Sequence, residues 1–161
     1  LERLGAIRLR SDVERKRLFG MGGDEDGRAP PGAGIYSTAA SERTYDRLAA
    51  LAQAVLEAGY PVIIDAVCQQ PPQRQRFVRL ARRLDVPFLI VEFTAPPEEL
   101  RRRINKREKG ASDADLAVLQ HQLDSWEPLR RDEKADALIV ETEKPLSNNI
   151  LTDMVSRRLW G

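Results

Sequence analysis

Short apolar runs alternate along the chain with longer stretches in which apolar residues recur every three or four positions. Gly5 to Leu9 reads as a short strand, and Asp12 to Phe19 as helix-like. Ser41 to Ala58 carries the strongest helical pattern, with Tyr45, Leu48, Ala52, Val55 and Leu56 on one face. Ser41 can cap its start and Gly59 can end it. Pro61 to Asp65 is a continuous apolar run closed by a carboxylate, as expected of a strand covered on both faces. Arg74 to Leu84 predicts a helix with Phe77, Leu80, Ala81 and Leu84 inward and Arg76, Arg79, Arg82 and Arg83 on its other face. Pro87 to Phe93 reads as another buried strand. Pro96-Pro97-Glu98-Glu99 opens a helix that runs to about Lys109, with proline and acid in the first turn. Ser112 caps the next helix, whose stripe is Leu116, Leu119 and Leu123. Ala137 to Val140 is a last strand, and Ser147 to Trp160 a closing helix with Ile150, Leu151, Met154, Val155 and Leu159 inward.

Buried strands alternating with helices predict an α/β fold: a parallel sheet with helices on both faces. In such sheets ligands sit beyond the carboxyl ends of the strands. The chemistry is therefore expected just after Leu9, Asp65 and Phe93. Residues 20–34, rich in Gly, Pro and Asp, cannot pack a core and read as a mobile loop.

Length adds one constraint: 161 residues make a single ordinary domain, here taken as 1–161. A hydrophobic share of 42% excludes a disordered chain. The 26 basic and 25 acidic residues nearly cancel, to +1, which argues against an all-over basic nucleic-acid coat but not against a local basic site. No apolar run approaches the roughly 20 residues that span a bilayer, so no membrane association is expected. The first residues, Leu1-Glu2-Arg3-Leu4, do not read as a secretory leader, and the lone Cys68 has no disulfide partner. A cytoplasmic location is the natural expectation. Arginine outnumbers lysine by 21 to 5, which supplies planar forks suited to phosphate.

Three strand ends carry candidate groups. Asp12 stands at the first strand-to-helix turn, where a carboxylate can take a proton from a substrate hydroxyl, and Arg15 lies about one helical turn further on. The alternative is that Ser11 or Asp12 simply caps the helix. Asp65 ends the second strand, where nucleotide-binding folds place an acid that orients a magnesium-bound water; the alternative is an Asp satisfied by loop amides. After the third strand, Arg101 to Lys109 holds six basic residues and one acid. Arg103 and Arg107, four apart, share a face. This stretch is either a solvated face or part of a lid, residues 98–115, whose arginines close over transferring phosphates. His121 and Cys68 have no visible catalytic partner, and Trp126 and Trp160 are expected to pack. There is no metal-ligand cluster and no G-x-G-x-x-G.

The run Leu4 to Leu18 resembles the segment after the P-loop in small P-loop kinase-like ATPases. These include the ATP-binding domain that follows an aminoglycoside-phosphotransferase-like domain in bacterial two-domain proteins. Gly34 to Ser37, Ala58 to Ala66, Val86 to Phe88 and Ser112 to Leu119 agree in order. A more distant likeness reaches polynucleotide kinase, gluconate kinase and zeta-toxin kinases. The resemblance implies a P-loop NTPase three-layer sandwich with parallel strand order 2-3-1-4-5, ATP and Mg2+ as cofactors, and a small-molecule or nucleotide acceptor. It implies Asp12 as general base, Arg15 at the acceptor, Asp65 near metal and acceptor, Arg103 and Arg107 on the donor phosphates, and Arg74 or Arg76 on the acceptor side. An N-terminal phosphotransferase-like domain of the same polypeptide is the implied partner.

The family's G-x-x-x-x-G-K-[ST] loop is absent from the 161 residues. The expectation is therefore a domain truncated at its amino end, lacking the first strand and the P-loop, and inactive as it stands. The intact protein is expected to transfer a phosphoryl group from ATP. The alternatives are a non-catalytic ATP-binding regulatory module, or a nucleic-acid end-binding protein using the Arg74–Arg83 face, which the near-zero net charge disfavours.

Overall fold

A computed structural model describes residues 4–22, 33–106, 116–143 and 147–161. Strand β1 (Ile7–Arg10) leads directly into α1 (Ser11–Leu18). After a single 3-10 turn (Gly34–Tyr36) comes α2 (Thr38–Glu57), then β2 (Val62–Asp65) and α3 (Pro71–Leu84). The second half holds β3 (Ile90–Thr94), α4 (Pro97–Lys106), α5 (Leu116–Asp124), α6 (Arg131–Ala135), β4 (Ala137–Glu141) and α7 (Asn148–Trp160).

The strands form two parallel pairs. Ile7 to Arg10 of β1 align with Val62 to Asp65 of β2, and Ile90 to Thr94 of β3 with Ala137 to Glu141 of β4. The parallel α/β reading holds, but among the described residues the pairs are separate two-stranded sheets. No described strand bridges β2 and β3, so the described strands do not join into one sheet.

Local chemistry explains the helix boundaries. Helix α2 starts three residues earlier than its apolar stripe suggested because Ser37, not Ser41, is the cap: its Oγ accepts from the Ala40 N–H at 3.2 Å. Its end is the expected one. Gly59 sits at φ +83°, and the Gly59 and Tyr60 N–H groups close back on Leu56 and Val55 carbonyls. Helix α3 also starts early, on Pro71-Pro72, with Gln70 and Gln73 forming a reciprocal cap. Neither Ser11 nor Arg10 caps α1 through a side chain, so the expected Ser11 cap is not formed. The start expected at Ser112 lies outside the described residues, as do Arg107, Lys109 to Ala111, and most of the 20–34 loop.

The core sits between α2, α3 and the β1–β2 pair. Tyr45, Leu48 and Phe77 are its centre, with Leu9, Ile64 and Phe88 packed against them. The Tyr45 and Phe77 rings meet at 6.2 Å between centroids, tilted by 53°. The expected inward faces of α2 and α3 are correct for Tyr45, Leu48, Ala52, Phe77, Leu80 and Ala81. On α7 the expectation holds in part, with Leu151, Val155 and Leu159 half-buried, and it fails at the tryptophans. Ile150 and Met154 are 51% and 36% exposed, and Trp126 and Trp160 are exposed as well, because no described element covers them.

Candidate functional site

Parallel pairing with Arg10 opposite Asp65 brings the carboxyl ends of β1 and β2 side by side. Adjacent strands lie about 4.8 Å apart, so the groups just beyond them share one rim. Asp12, two residues past Arg10, and Asp65 are therefore brought to the same end of the same pair. The residues alternate across β1. Leu9 goes into the core, which turns Arg8 and Arg10 to the opposite face.

Both arginines then meet the carboxylates. Arg8 donates to Asp65 Oδ2 through Nε at 2.8 Å, and through Nη2 in a close ion pair. Arg10 Nη2 donates to Asp12 Oδ2 at 2.6 Å, while Asp12 Oδ1 accepts from the Val13 N–H at 2.8 Å. The rim is thus charge-balanced and oriented, with both Asp12 oxygens engaged. The Asp65 side chain is 44% exposed, open enough to exchange Arg8 for another partner at small cost. Arg8 and Arg10 are functional candidates that the sequence reading passed over. The signal was present: an Arg-Leu-Arg alternation at the end of a strand puts two guanidiniums on one face.

Arg15 projects from α1 toward the segment preceding α2. Nη1 donates to the Ile35 carbonyl at 2.8 Å and to Ser41 Oγ at 3.3 Å, and its guanidinium lies 5.3 Å from the Tyr36 ring centre. Burial lowers its pKa from the ordinary arginine value, opposed by the nearby Tyr45 and Tyr36. One residue earlier, buried Glu14 receives Arg17 at 2.5 Å and Arg47 at 2.6 Å, fixing α1 against α2.

The other expected site residues are placed differently. All five N–H donors of Arg74 are committed inside the chain. Nε and Nη2 fork onto Glu133, and the rest go to the Cys68, Glu127 and Pro128 carbonyls. With side chains only 4% and 1% exposed, this Arg74–Glu133 pair is an internal brace. Hydrogen bonding to Arg74 holds Glu133 below the usual carboxylate range and raises Arg74 in turn. Arg76 lies on the α2–α3 surface, bonded to Glu42 at 2.7 Å and close to Asp46 at 3.1 Å. Neither Arg74 nor Arg76 bonds to Asp12 or Asp65.

Arg103 is held at the far strand pair. Its guanidinium reaches Glu99 at 2.6 Å, Thr142 Oγ1 at 2.7 Å and the Thr142 carbonyl at 2.5 Å. Thr142 Oγ1 donates in turn to the carbonyl of Thr94, the last residue of β3. Hydrogen bonds from Arg102 and then Arg103 bring Glu99 down to about 2. Arg107, the other lid candidate, lies outside the described residues.

The loop after Asp65 contains Cys68 in the left-handed region, at φ 47°. Its N–H donates to the Tyr45 hydroxyl at 3.1 Å, and burial pushes its thiol up to about 11, a poor setting for a nucleophile. Among the described residues no group of His, Cys, Asp and Glu is arranged to hold a metal directly. Nor is any described helix long and apolar enough to cross a membrane.

A search of curated proteins found no match. A family profile described as an AAA domain matches residues 1–129. Such P-loop proteins bind ATP with Mg2+. The parallel α/β strand pairs agree with the fold class of that family, and Asp65 closes β2 at its carboxyl end. The chain belongs to this AAA-domain family of P-loop kinase-like, nucleotide-binding proteins.

Proposed function

We propose that this chain supplies the acceptor side of an ATP-dependent phosphoryl-transfer site. The observation that supports it is the β1–β2 rim, where two carboxylates and two arginines meet in a chain of a nucleotide-binding family. Asp12 is the proton acceptor for the incoming hydroxyl, and its contacts with Arg10 and the Val13 N–H aim one edge of the carboxylate. Arg15, clamped to Ile35 and Ser41, orients the acceptor. Asp65, exposed enough to give up Arg8, is the carboxylate that would orient water on a bound metal. Arg103 and Arg107 form the lid charges, with Arg103 leaving its exposed bonds to Glu99 and Thr142.

The residues present fit the nucleotide in part. Asp65 and Arg103 are accessible groups of the right sign for a metal-bound water and a phosphate. No segment of the 161 residues provides the Gly-rich cradle and lysine for the triphosphate. When bound, ATP–Mg2+ supplies the transferable phosphoryl group. In our reading a strand carrying that loop lies between β2 and β3, whose facing edges have no described partner. The 161 residues alone are then inactive, and the intact polypeptide is cytoplasmic.

The test is acceptor-dependent ADP release by a polypeptide carrying the loop, screened over sugars, nucleosides and oligonucleotide ends. Asp12→Asn is expected to cut transfer by at least about 100-fold while changing ATP affinity less than about twofold. Equal transfer by that variant removes Asp12 from the mechanism. ATP binding without any acceptor-dependent turnover would favour a regulatory module, a reading supported by the absent loop motif.

A further inference from the structure

We propose that the groove between α2 and α3 is a second binding site, distinct from the Asp12–Asp65 rim, and that it takes a small polyphosphate anion. The groove has a volume of about 380 Å3. That is within the range of small-molecule sites. Ala49, Ala50 and Gln53 line it from α2. Arg76, Arg79 and Arg83 line its wall. Their spacing of three and then four places all three on one helix face.

Along the groove the arginines differ in their counter-charges. Arg17 and Arg47 share Glu14, Arg102 and Arg103 share Glu99, and Arg76 itself is answered by Glu42 and Asp46. Arg83 meets only a neutral acceptor, Gln53 Oε1, at 2.7 Å. Arg79 has no hydrogen-bond or ion-pair partner among the described residues. Two uncompensated guanidiniums thus stand one turn apart, about 6 Å along the helix axis. Each is a planar fork that can grip a phosphate through two bonds. The pair therefore suits an anion with two or more linked phosphates.

Two features favour a small ligand over a nucleic-acid strand. No aromatic side chain lines the groove, so no base has a stacking platform. Glu42 and Asp46 flank Arg76 and would repel a backbone that continued along α3 in that direction. The Arg79–Arg83 end of the groove also lies away from the rim bearing Asp12 and Asp65. Arg74 reaches the Cys68 carbonyl near the end of β2, whereas Arg83 is nine residues further along α3, roughly 13 Å away along its axis.

The experiment is calorimetric titration of this chain with sodium tripolyphosphate at low ionic strength. Saturable binding is expected, weakened at least about tenfold in the double variant Arg79→Ala/Arg83→Ala. Arg131→Ala, an exposed arginine on another element, is expected to leave it within about twofold. Unchanged circular dichroism and melting of the double variant, both of whose side chains are exposed, separate lost binding from lost fold. No binding by the wild type, or equal binding by the double variant, overturns the proposal. So does an equal loss in Arg131→Ala, which would mean general charge attraction. Tighter binding of an oligothymidylate with the same variant dependence replaces the small anion by nucleic acid and overturns the stated ligand.

Discussion

The two strand pairs are stabilised by different physics. Around β1–β2 the helices bring apolar faces together, and Tyr45, Leu48, Ala52, Phe77, Leu80 and Ala81 are all buried there. Around β3–β4 the buried apolar residues are Leu119, Leu129 and Val140, while Ile139, Phe93, Ile150 and Trp160 are exposed. The first half is held by area removed from water, worth about 25 cal/mol per Å2. The second half is tied to the first by polar links. The Arg74–Glu133 pair joins α3 to α6, the Glu127 N–H donates to the Gln69 carbonyl at 3.0 Å, and Gln69 donates to Ser125 Oγ at 2.8 Å. A core can absorb small losses by repacking, whereas a buried ion pair fails abruptly when one member is removed.

The largest effect is therefore expected at the brace. Glu133→Gln leaves a buried guanidinium without a counter-charge and should cost about 3–5 kcal/mol. For a chain of this size that lowers the melting midpoint by roughly 10 °C, readable by circular dichroism. The pH dependence follows from the direction of the shift. Glu133 is held below its unfolded value by hydrogen bonding to Arg74, so its stabilisation is full above about pH 4.3 and is lost as pH falls through the folded value. The wild type should lose stability in acid more steeply than Glu133→Gln. Parallel acid limbs would mean that the brace contributes little and that the halves are held together otherwise.

The next effect tests the other side of the comparison. Leu48 is fully buried at the centre of the first core, and Leu48→Ala should cost about 3 kcal/mol in urea unfolding. The m-value should not change, because the same surface is exposed on unfolding. A loss below about 1 kcal/mol would show that this core is no better packed than the second half.

What the sequence made legible follows the same division. Periodicity located α2, α3 and their inward faces because those faces have a partner to bury against. It located all four strands to within a few residues. It missed α6, a five-residue helix built from charged residues with no apolar stripe to see. Glu133 also caps that helix, accepting from the Arg130 N–H at 2.8 Å. The acceptor-side role of Arg74 or Arg76 came only from the family resemblance; the partner that claims Arg74 is 59 residues away and invisible to local pattern. Asp12 and Asp65 were legible as strand-end carboxylates, but the arginines that orient them were hidden within a strand that looked merely short.

The smallest effect is expected on α7, where Ile150 and Met154 of the periodic stripe are exposed while Leu151, Val155 and Leu159 are half-buried. Ile150 is half exposed, and Arg158 of the helix donates to the Ala135 carbonyl at 2.8 Å. Ile150→Ser keeps the Ser147 cap, whose Oγ accepts the Ile150 backbone N–H rather than any side-chain group. It also removes little buried area. Its effect on this chain should be within about 0.5 kcal/mol, the range of ordinary surface substitutions. The same substitution in a polypeptide where a further element covers the stripe would cost about 2 kcal/mol or more, as for any buried isoleucine. Measuring both separates a stripe that is solvated by nature from one that awaits a partner. In the first case the second half is a polar appendage to the first. In the second, it has a core of its own whose other wall lies outside these residues.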